Sequence, residues 1–265
     1  MSSNDSKWVL ITGASSGIGE AFARRFAREK WNLVLAARSF DKLNSLAESL
    51  RSQHSIETLT LNTDLRLPRT CREIYEKVSA AGISLDCLVN NAGFGTVGSF
   101  VTIDPYRDLE MVDVNVRAVL ELTHLFLPAM IEKKSGFIIN VSSTASFQPI
   151  PYLATYSATK AFVTSLSESL WAECKGTGVR VLNLCPGRTK TNFGKVAGQK
   201  ENKNDFRPSL TADKVVDDTF QAMSGNQPTL ITHFLDKALV FFERFLSRKQ
   251  VALIAGKLAK RVGYR

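Results

Sequence analysis

Near its start the chain reads WVLITGASSGIG, the residues from Trp8 to Gly19. This stretch predicts a strand, a tight turn and a helix in succession. Its apolar beginning predicts a buried strand, and the residues after Gly19 predict a helix. Between them, Gly13 permits a tight turn, Gly17 permits close approach to the backbone, and Gly19 lets the helix pack against the sheet. A strand–turn–helix of this kind directs backbone N–H groups toward a phosphate.

Short apolar runs alternate with helix-like segments along the whole chain. Seven strands are predicted over residues 8–11, 33–36, 58–61, 87–89, 137–141, 179–184 and 229–231. Helices are predicted over residues 18–29, 41–53, 68–80, 104–132, 153–175 and 212–223. Because the strands are apolar without alternation, we expect them to be buried on both faces of a parallel sheet. The predicted fold class is α/β, a Rossmann-type doubly wound parallel sheet of seven strands with helices on both faces.

Composition argues against several other classes of protein. The four cysteines are far apart and form no C-x-x-C pair: Cys71, Cys87, Cys174 and Cys185. They are predicted to be reduced core thiols of a cytoplasmic protein, with no metal site. The uncharged stretch 135–159 contains Asn140 and two prolines, so we interpret it as a strand and a cavity-lining loop rather than a membrane span. The polar N-terminus has no signal-peptide pattern.

The net charge of +9 is concentrated at the C-terminal end of the chain. From Thr232 onward there are eight Lys and Arg against two Asp and Glu, a net +6. A nucleic-acid partner is not expected, because no helix-turn-helix, zinc or RNA-binding signature is present. The basic region is interpreted as a C-terminal helical extension, residues 232–265, that follows a single domain over residues 1–231.

Apolar residues recur at helical spacing in this extension and predict two amphipathic helices joined by residues 247–249. The two stripes are Leu235, Leu239, Phe242, Leu246 and then Val251, Ile254, Leu258, Val262. The favoured interpretation is that they pack on the protein's own body or on a second subunit. The alternative is that the basic helices lie on an anionic membrane, which would make the protein membrane-peripheral.

The end of the second predicted strand bears on the choice of dinucleotide. An NAD site usually carries an acidic residue there for the ribose 2′-hydroxyl, but this chain has Ala37 followed by Arg38. A guanidinium suits a 2′-phosphate, which favours NADP(H), with Ser15 and Ser39 as further donors. The alternative is that Arg38 is a solvated residue at the end of a strand.

Far downstream, the sequence YSATK places Tyr156 and Lys160 one helical turn apart on the same face. A nearby ammonium favours the phenolate and is expected to lower the phenol pKa, so the pair is able to transfer a proton. The alternative is an ordinary amphipathic pair on a surface helix. The small residues Ser157, Ala158 and Thr159 favour the first interpretation, because they allow close approach of a bound cofactor.

Several motifs in order resemble the short-chain dehydrogenase/reductases over about residues 7–231. They are TGASSGIG at residues 12–19, NNAG at residues 90–93, Asn115, Ser143, the Tyr156 and Lys160 pair, and Pro186-Gly187. The resemblance implies catalytic roles for Asn115, Ser143, Tyr156 and Lys160; the spacing of thirteen residues to Tyr156 selects Ser143 over Ser142. Asn115 would hold a water that links Lys160 to solvent. From the residues alone, Asn115 would be an ordinary helix residue.

The resemblance also implies which residues surround the dinucleotide. Asp64 would contact the adenine, the NNAG segment would line the cofactor site, and the segment after the sixth strand would lie at the nicotinamide. The complete predicted cofactor set is Gly13, Ser15, Ser16, Gly17, Ile18, Gly19, Arg38, Ser39, Asp64, Leu65, Asn91, Ala92, Gly93, Tyr156, Lys160, Pro186, Gly187, Thr189 and Thr191. A lid is predicted over about residues 192–210.

Loops after strands four to six form the substrate walls in such folds. Here they supply Phe94, Phe147, Ile150, Tyr152 and Phe193, with Phe206 in the predicted lid, although each aromatic is equally suited to a core. The predicted function is NADPH-dependent reduction of an apolar carbonyl substrate: a ketone, an aldehyde or a 3-oxoacyl group. The alternative is a non-catalytic NADP-binding regulatory protein on the same fold. The resemblance also implies a homodimer or homotetramer through the helices at residues 104–132 and 153–175.

Overall fold

A computed structural model describes residues 7–198, 209–261 and 263–264. The strands are β1 (Trp8–Thr12), β2 (Asn32–Ala37), β3 (Thr58–Asn62), β4 (Cys87–Asn90), β5 (Gly136–Val141), β6 (Val179–Cys185), β7 (Thr189–Lys190), β8 (Leu210–Thr211) and β9 (Thr229–Ile231). The helices are α1 (Gly17–Arg28), α2 (Phe40–His54), α3 (Thr70–Ala80), α4 (Pro105–Val112), α5 (Ala118–Glu132), α6 (Ala154–Glu173), α7 (Phe193–Val196), α8 (Ala212–Met223), α9 (Phe234–Glu243) and α10 (Arg248–Arg261).

Seven strands form one parallel sheet in the order β3-β2-β1-β4-β5-β6-β9. This confirms the predicted fold class and the seven-stranded sheet. The strand order reverses direction between β1 and β4, so the connections that follow these two strands diverge and leave a crevice at the carboxyl edge of the sheet. In open α/β sheets this is the position where ligands bind.

The sheet is covered by helices on both faces, and two hydrophobic cores result. One core contains Phe22 and Phe26 of α1, packed against side chains of β1 and β2. The other contains Leu122 and Met130 of α5, packed against Leu10 and other side chains on the opposite sheet face. Burial on both faces explains why the strands read as continuous apolar runs.

The predicted helix over residues 104–132 is interrupted in the structure. Asp104 caps α4 by accepting a hydrogen bond from the Tyr106 backbone N–H at 3.0 Å, and a π-helical turn, Asp113–Arg117, separates α4 from α5. Within the described residues, Pro105–Glu132 is the one helical stretch long and apolar enough to cross a membrane. Because Leu122 and Met130 are buried in a core, packing within the fold accounts for its apolar composition.

The two helices predicted in the C-terminal region are present as α9 and α10. Their buried face differs from the predicted stripe, because α10 buries Val251, Ala255 and Ala259 while Ile254 and Leu258 stay exposed. Along α9, which the structure describes in full, no side chain is buried. The small alanines allow α10 to lie close to the body of the protein, whereas the larger Ile254 and Leu258 are exposed. Val262 lies outside the described residues.

Candidate active site

The predicted glycine turn lies at the carboxyl end of β1 and leads into α1. Gly13 and Gly17 adopt φ angles of +66° and +60°, a conformation that favours glycine. A Cβ on Gly19 would collide with the Gly13 carbonyl oxygen and the Asn91 amide, so α1 packs too closely there for a side chain. Ser16, the residue before α1, is exposed and makes no side-chain capping bond. The turn therefore presents a helix N-terminus and backbone N–H groups at the crevice.

A residue that the sequence analysis did not single out, Thr12, joins this turn to the NNAG segment. Its hydroxyl accepts hydrogen bonds from the backbone N–H groups of Asn91 and Ala92, both at 3.0 Å. The Asn91 side-chain amide donates to the Thr12 carbonyl oxygen at 2.8 Å. The ends of β1 and β4 are thereby held together, which places the predicted residues Asn91, Ala92 and Gly93 beside the glycine turn.

The predicted adenine end is a charged cluster. Arg38 and Ser39 are exposed at the end of β2, and the positive charge of Arg38 acts on Asp64 after β3. Arg66, which was not predicted, forms ion pairs with Asp64 and with Glu110, the latter at 2.8 Å. Hydrogen bonds from Arg66 hold the pKa of Asp64 below its usual value of 3.8. Arg38 is thus close to the predicted ribose position, and the Asp64 carboxylate is already paired.

Three of the predicted catalytic residues come together at the carboxyl end of β5 and the first turns of α6. Tyr156 is 9% exposed and Lys160 is 4% exposed. The Lys160 ammonium donates to the Val141 carbonyl oxygen at 2.8 Å and lies 5.9 Å from the centre of the Tyr156 ring. The Ser143 side chain is close enough to the Tyr156 phenol to act on its pKa. Ser143, rather than Ser142, is therefore the serine next to the phenol.

Burial is the largest cause of the pKa shifts of Tyr156 and Lys160. Burial raises the pKa of the Tyr156 phenol to about 12, and the nearby Ser143 side chain opposes the rise. Burial lowers the pKa of the Lys160 ammonium from 10.5 to about 8. The expectation that Lys160 lowers the phenol pKa is wrong for this structure, because both groups are removed from water and the ammonium is directed at the Val141 carbonyl.

Asn115 is fully buried within the π-helical turn. Its Oδ1 accepts from the Phe94 N–H at 3.1 Å, and its Nδ2 donates to the Phe94 carbonyl at 2.9 Å and to the Thr159 hydroxyl at 3.1 Å. A Cβ on Gly93 would lie 3.0 Å from Asn115 Oδ1 and 3.3 Å from Lys160 Nζ. Asn115 thus lies beside Lys160 and fixes the loop after β4, which is more than an ordinary helix residue does.

The residues predicted to form the substrate walls differ in their burial and in what they contact. Phe193 is 37% exposed, and its ring centre lies 5.4 Å from that of Tyr156. Tyr152 adopts a left-handed backbone conformation in the loop before α6, with a φ of +68°. Phe94 is buried beneath the Arg107 guanidinium, and Ile150 packs against the core. Phe147 lines a cavity that it shares with the C-terminal helices. Phe206 lies outside the described residues.

The loop after β6 reaches back to the glycine turn. The Pro186 carbonyl accepts from the Thr144 N–H at 3.1 Å, and Thr189 donates to the Gly187 carbonyl at 3.1 Å. A Cβ on Gly17 would lie 3.2 Å from the Thr191 methyl group. Thr191 therefore lies beside the glycine turn, and Pro186 is hydrogen-bonded to the residue that follows Ser143. Much of the predicted lid, residues 199–208, lies outside the described residues, whereas its first helix is α7.

A parallel sheet with a glycine turn after its central strand, and a buried Ser–Tyr–Lys group across the crevice, defines a class of α/β proteins that bind a dinucleotide at the carboxyl edge of the sheet. Residues 7–202 match the family model described as short chain dehydrogenase. The chain belongs to the short chain dehydrogenase family.

Relatives and solved structures agree with this assignment. The very-long-chain 3-oxoacyl-CoA reductase-B of Danio rerio is 34% identical over 196 residues, which cover 72% of this chain and 62% of the relative. A structure from work on 7β-hydroxysteroid dehydrogenase stereoselectivity superposes with a TM-score of 0.85 at 25% identity, covering 94% of this chain and 96% of the other. The short-chain dehydrogenase from Sphingobium yanoikuyae, in complex with NADPH, gives 0.80 at 30% identity, covering 91% and 96%.

Proposed function

We propose that this protein is an NADP(H)-dependent oxidoreductase that reduces the carbonyl of an apolar substrate to an alcohol, with Tyr156 as the proton donor. The observation that carries the proposal is the buried Tyr156 phenol, placed one helical turn before the buried Lys160 and close to Ser143. The Danio rerio relative, whose matched part is 62% of its length, is named a 3-oxoacyl-CoA reductase. A ketone, an aldehyde or a 3-oxoacyl group is therefore the proposed substrate class.

The residues around the glycine turn fit a nicotinamide dinucleotide. The left-handed conformations of Gly13 and Gly17 form the tight turn that such a pyrophosphate site needs, and the absence of a side chain at Gly19 lets α1 pack close behind it. Solved neighbours are described in complex with NADPH or with NAD. We propose NADP(H) for this chain, because Arg38 is an exposed cation at the end of β2, where a 2′-phosphate would lie.

In the proposed reaction the bound dinucleotide supplies the hydride, and the chain's own residues manage the oxygen and its proton. The Ser143 hydroxyl orients the carbonyl oxygen by donating a hydrogen bond to it. The Tyr156 O–H then donates its proton to that oxygen as negative charge develops. Because burial raises the pKa of Tyr156 to about 12, the phenol keeps its proton at neutral pH, which favours carbonyl reduction over alcohol oxidation.

A screen for NADPH oxidation over ketones, aldehydes, quinones and 3-oxoacyl thioesters tests this proposal. Tyr156→Phe should lower kcat on the order of 10²- to 10⁴-fold, since loss of a general acid has effects of that size. Its Kd for NADPH should stay near the wild-type value. Wild-type turnover in this variant would refute the proton-donor role. Tight NADPH binding without turnover on any substrate would instead support the alternative, a non-catalytic NADP-binding regulator.

We also propose that the protein is a cytoplasmic homodimer or homotetramer. Its four cysteines are all free and buried, which suits a reducing compartment. Apolar side chains are exposed along α4 and α6, where the family resemblance places subunit contacts: Tyr106 is 77% exposed, Leu109 60% and Phe162 38%. Leu109→Glu with Phe162→Glu should yield a smaller species by light scattering, and an unchanged mass would exclude these helices as the interface.

A further inference from the structure

The outer surface of the two C-terminal helices is unusually apolar for an exposed surface. On α9 and the residue pair after it, Phe234 is 71% exposed, Phe241 53%, Phe242 63% and Phe245 73%. The Phe241 ring lies 5.6 Å from both the Phe242 and the Phe245 ring, so these three side chains form one aromatic cluster. A contiguous exposed cluster of this kind indicates an interaction site, because soluble surfaces rarely carry one.

Basic side chains accompany the aromatic cluster. Seven exposed lysines and arginines occur between residues 232 and 264, against two acidic residues, Asp236 and Glu243. Arg244 and Arg248 line the cavity described below, and the other five lie outside it: Lys237, Lys249, Lys257, Lys260 and Arg261. A helical surface with aromatic side chains beside many cations complements an anionic lipid surface, to which aromatic groups insert and cations are attracted.

The inner surface of the same helices contacts the loops of the candidate active site. A Cβ on Gly256 of α10 would lie 3.2 Å from Pro151, in the loop just before Tyr156. Between that loop and the helices is a cavity of about 180 Å³, lined by Phe147, Pro149, Val240 and Val251 among others. The helices that carry the aromatic cluster therefore pack against the loop that precedes Tyr156.

Tyr264, just after α10, brings the C-terminal region still closer to the chemistry. Its side chain is 9% exposed, and its backbone N–H donates to the Ala259 carbonyl at 3.0 Å. It is near enough to Tyr156 to interact with it electrostatically. At the other end of the helix pair, Asp236 of α9 abuts Gly187 in the loop after β6. The C-terminal region thus contacts both the loop before Tyr156 and the loop after β6.

We propose that α9 and α10 dock on an anionic membrane through the aromatic cluster and its basic neighbours, and that the docked helices place the active-site opening at the lipid surface. A second copy of the chain is a poorer occupant. A two-fold contact through this patch would bring basic side chains of the two copies together, and like charges repel. The proposed delivery of apolar carbonyl substrates from lipid rests on the function proposed above; the docking itself does not.

Sedimentation with vesicles tests the docking without any substrate. The full chain should bind phosphatidylcholine vesicles that contain phosphatidylserine and should bind much less to pure phosphatidylcholine. Phe241→Ser with Phe242→Ser and Phe245→Ser should weaken binding by at least tenfold. The matched control is Phe100→Ser with Val101→Ser, which removes two apolar side chains outside the C-terminal helices that are 69% and 88% exposed. This double variant should bind the vesicles as the wild type does.

The basic residues give a second, independent readout. Lys257→Gln with Lys260→Gln should weaken binding to the anionic vesicles on the order of 30-fold, since each basic residue near such a surface contributes about 1 kcal/mol. Raised salt should reduce wild-type binding in the same direction. Absence of wild-type binding at low salt, or equal binding by the triple Ser variant and the wild type, would overturn the proposal. A lower oligomer mass in the triple Ser variant would assign the patch to a second copy and would also overturn it.

Kinetics then separate docking from catalysis. With a short, water-soluble ketone the triple Ser variant should match the wild type, because none of its three residues lines the active site. With a long-chain ketone dissolved in the anionic vesicles its kcat/KM should fall at least tenfold. An equal kcat/KM for the variant and the wild type with the vesicle-dissolved ketone would refute delivery from lipid. If the wild type reduces neither ketone, the proposed function fails while the vesicle-binding result still decides the docking.

Discussion

The pH dependence of the reaction should follow the two buried groups of the candidate active site, Tyr156 and Lys160. With the pKa of the free enzyme's Tyr156 near 12, only about one molecule in 10⁵ carries a phenolate at neutral pH. Carbonyl reduction needs the protonated phenol, so kcat/KM for reduction should be flat from weakly acidic pH up to about pH 8. Alcohol oxidation needs the phenolate, so its kcat/KM should rise about tenfold per pH unit over the same range.

Above about pH 8 the protonation state of Lys160 limits the rate of carbonyl reduction. Its pKa of about 8 means that the ammonium is lost in mildly alkaline solution. Because this positive charge stabilises the negative charge that develops on the carbonyl oxygen, reduction should then decline along a limb with a midpoint near that value. Initial rates of NADPH oxidation with one good ketone, and of NADP⁺ reduction with its alcohol, measure both profiles. Lys160→Met should remove the alkaline limb from whatever activity remains. A reduction profile that falls on the acid side near pH 6, or an oxidation rate independent of pH, would refute the protonation states assigned here.

The same variant reports on stability. Between its folded pKa of about 8 and its usual 10.5, Lys160 binds fewer protons in the folded than in the unfolded protein, so its unfavourable burial diminishes as the pH rises through this window. Lys160→Met removes this dependence, so the free energy of unfolding of the wild type should gain about 2 kcal/mol relative to the variant between pH 7 and pH 9.5. Urea titrations at the two pH values measure the difference. An equal effect at both would contradict the lowered pKa.

Three further substitutions test the cofactor side and the supporting loop. Arg38→Leu should reduce the preference for NADPH over NADH by about tenfold to a hundredfold in kcat/KM, and equal wild-type values for the two cofactors would exclude the assignment. Asn115→Ala leaves the buried N–H and carbonyl of Phe94 without partners and should lower the free energy of unfolding by about 3 kcal/mol in urea; a loss below about 1 kcal/mol would contradict this. Gly19→Ala should abolish measurable NADPH binding by calorimetry. Gly225→Ala, whose Cβ would meet only a carbonyl at 3.5 Å, is its control and should bind normally.

Local patterns predicted much of this molecule. The sheet and its direction follow from apolar runs such as Leu33 to Ala36, because strands buried on both faces need apolar side chains throughout. The glycine turn and the Tyr156–Lys160 spacing are likewise local, since a turn conformation and a helical repeat are properties of a few adjacent residues.

The remaining features depend on contacts between distant segments. No local signal marks the π-helical turn at Asn115, because its hydrogen bonds reach a loop twenty-one residues earlier. The ion pair of Arg66 with Glu110 and the Thr12 bonds to the NNAG segment are of the same kind. In α10 the stripe of large apolar residues shares only Val251 with the face that meets the body, because the rest of that close contact is made by alanines such as Ala255.

The pairing of β1 with β4 inside the sheet has a consequence for how the chain folds. The first part of the chain supplies β3, β2 and β1, and the rest supplies β4, β5, β6 and β9. The sheet is therefore formed by two successive segments of the chain that pair along β1 and β4. The Thr12 hydroxyl bonds to Asn91 and Ala92 cross that junction, and the glycine turn and Tyr156 lie on opposite sides of it. Neither segment carries all the residues of the proposed dinucleotide site. A dinucleotide that binds only the joined state must therefore favour the joining, by about 2.7 kcal/mol at a concentration of a hundred times its Kd.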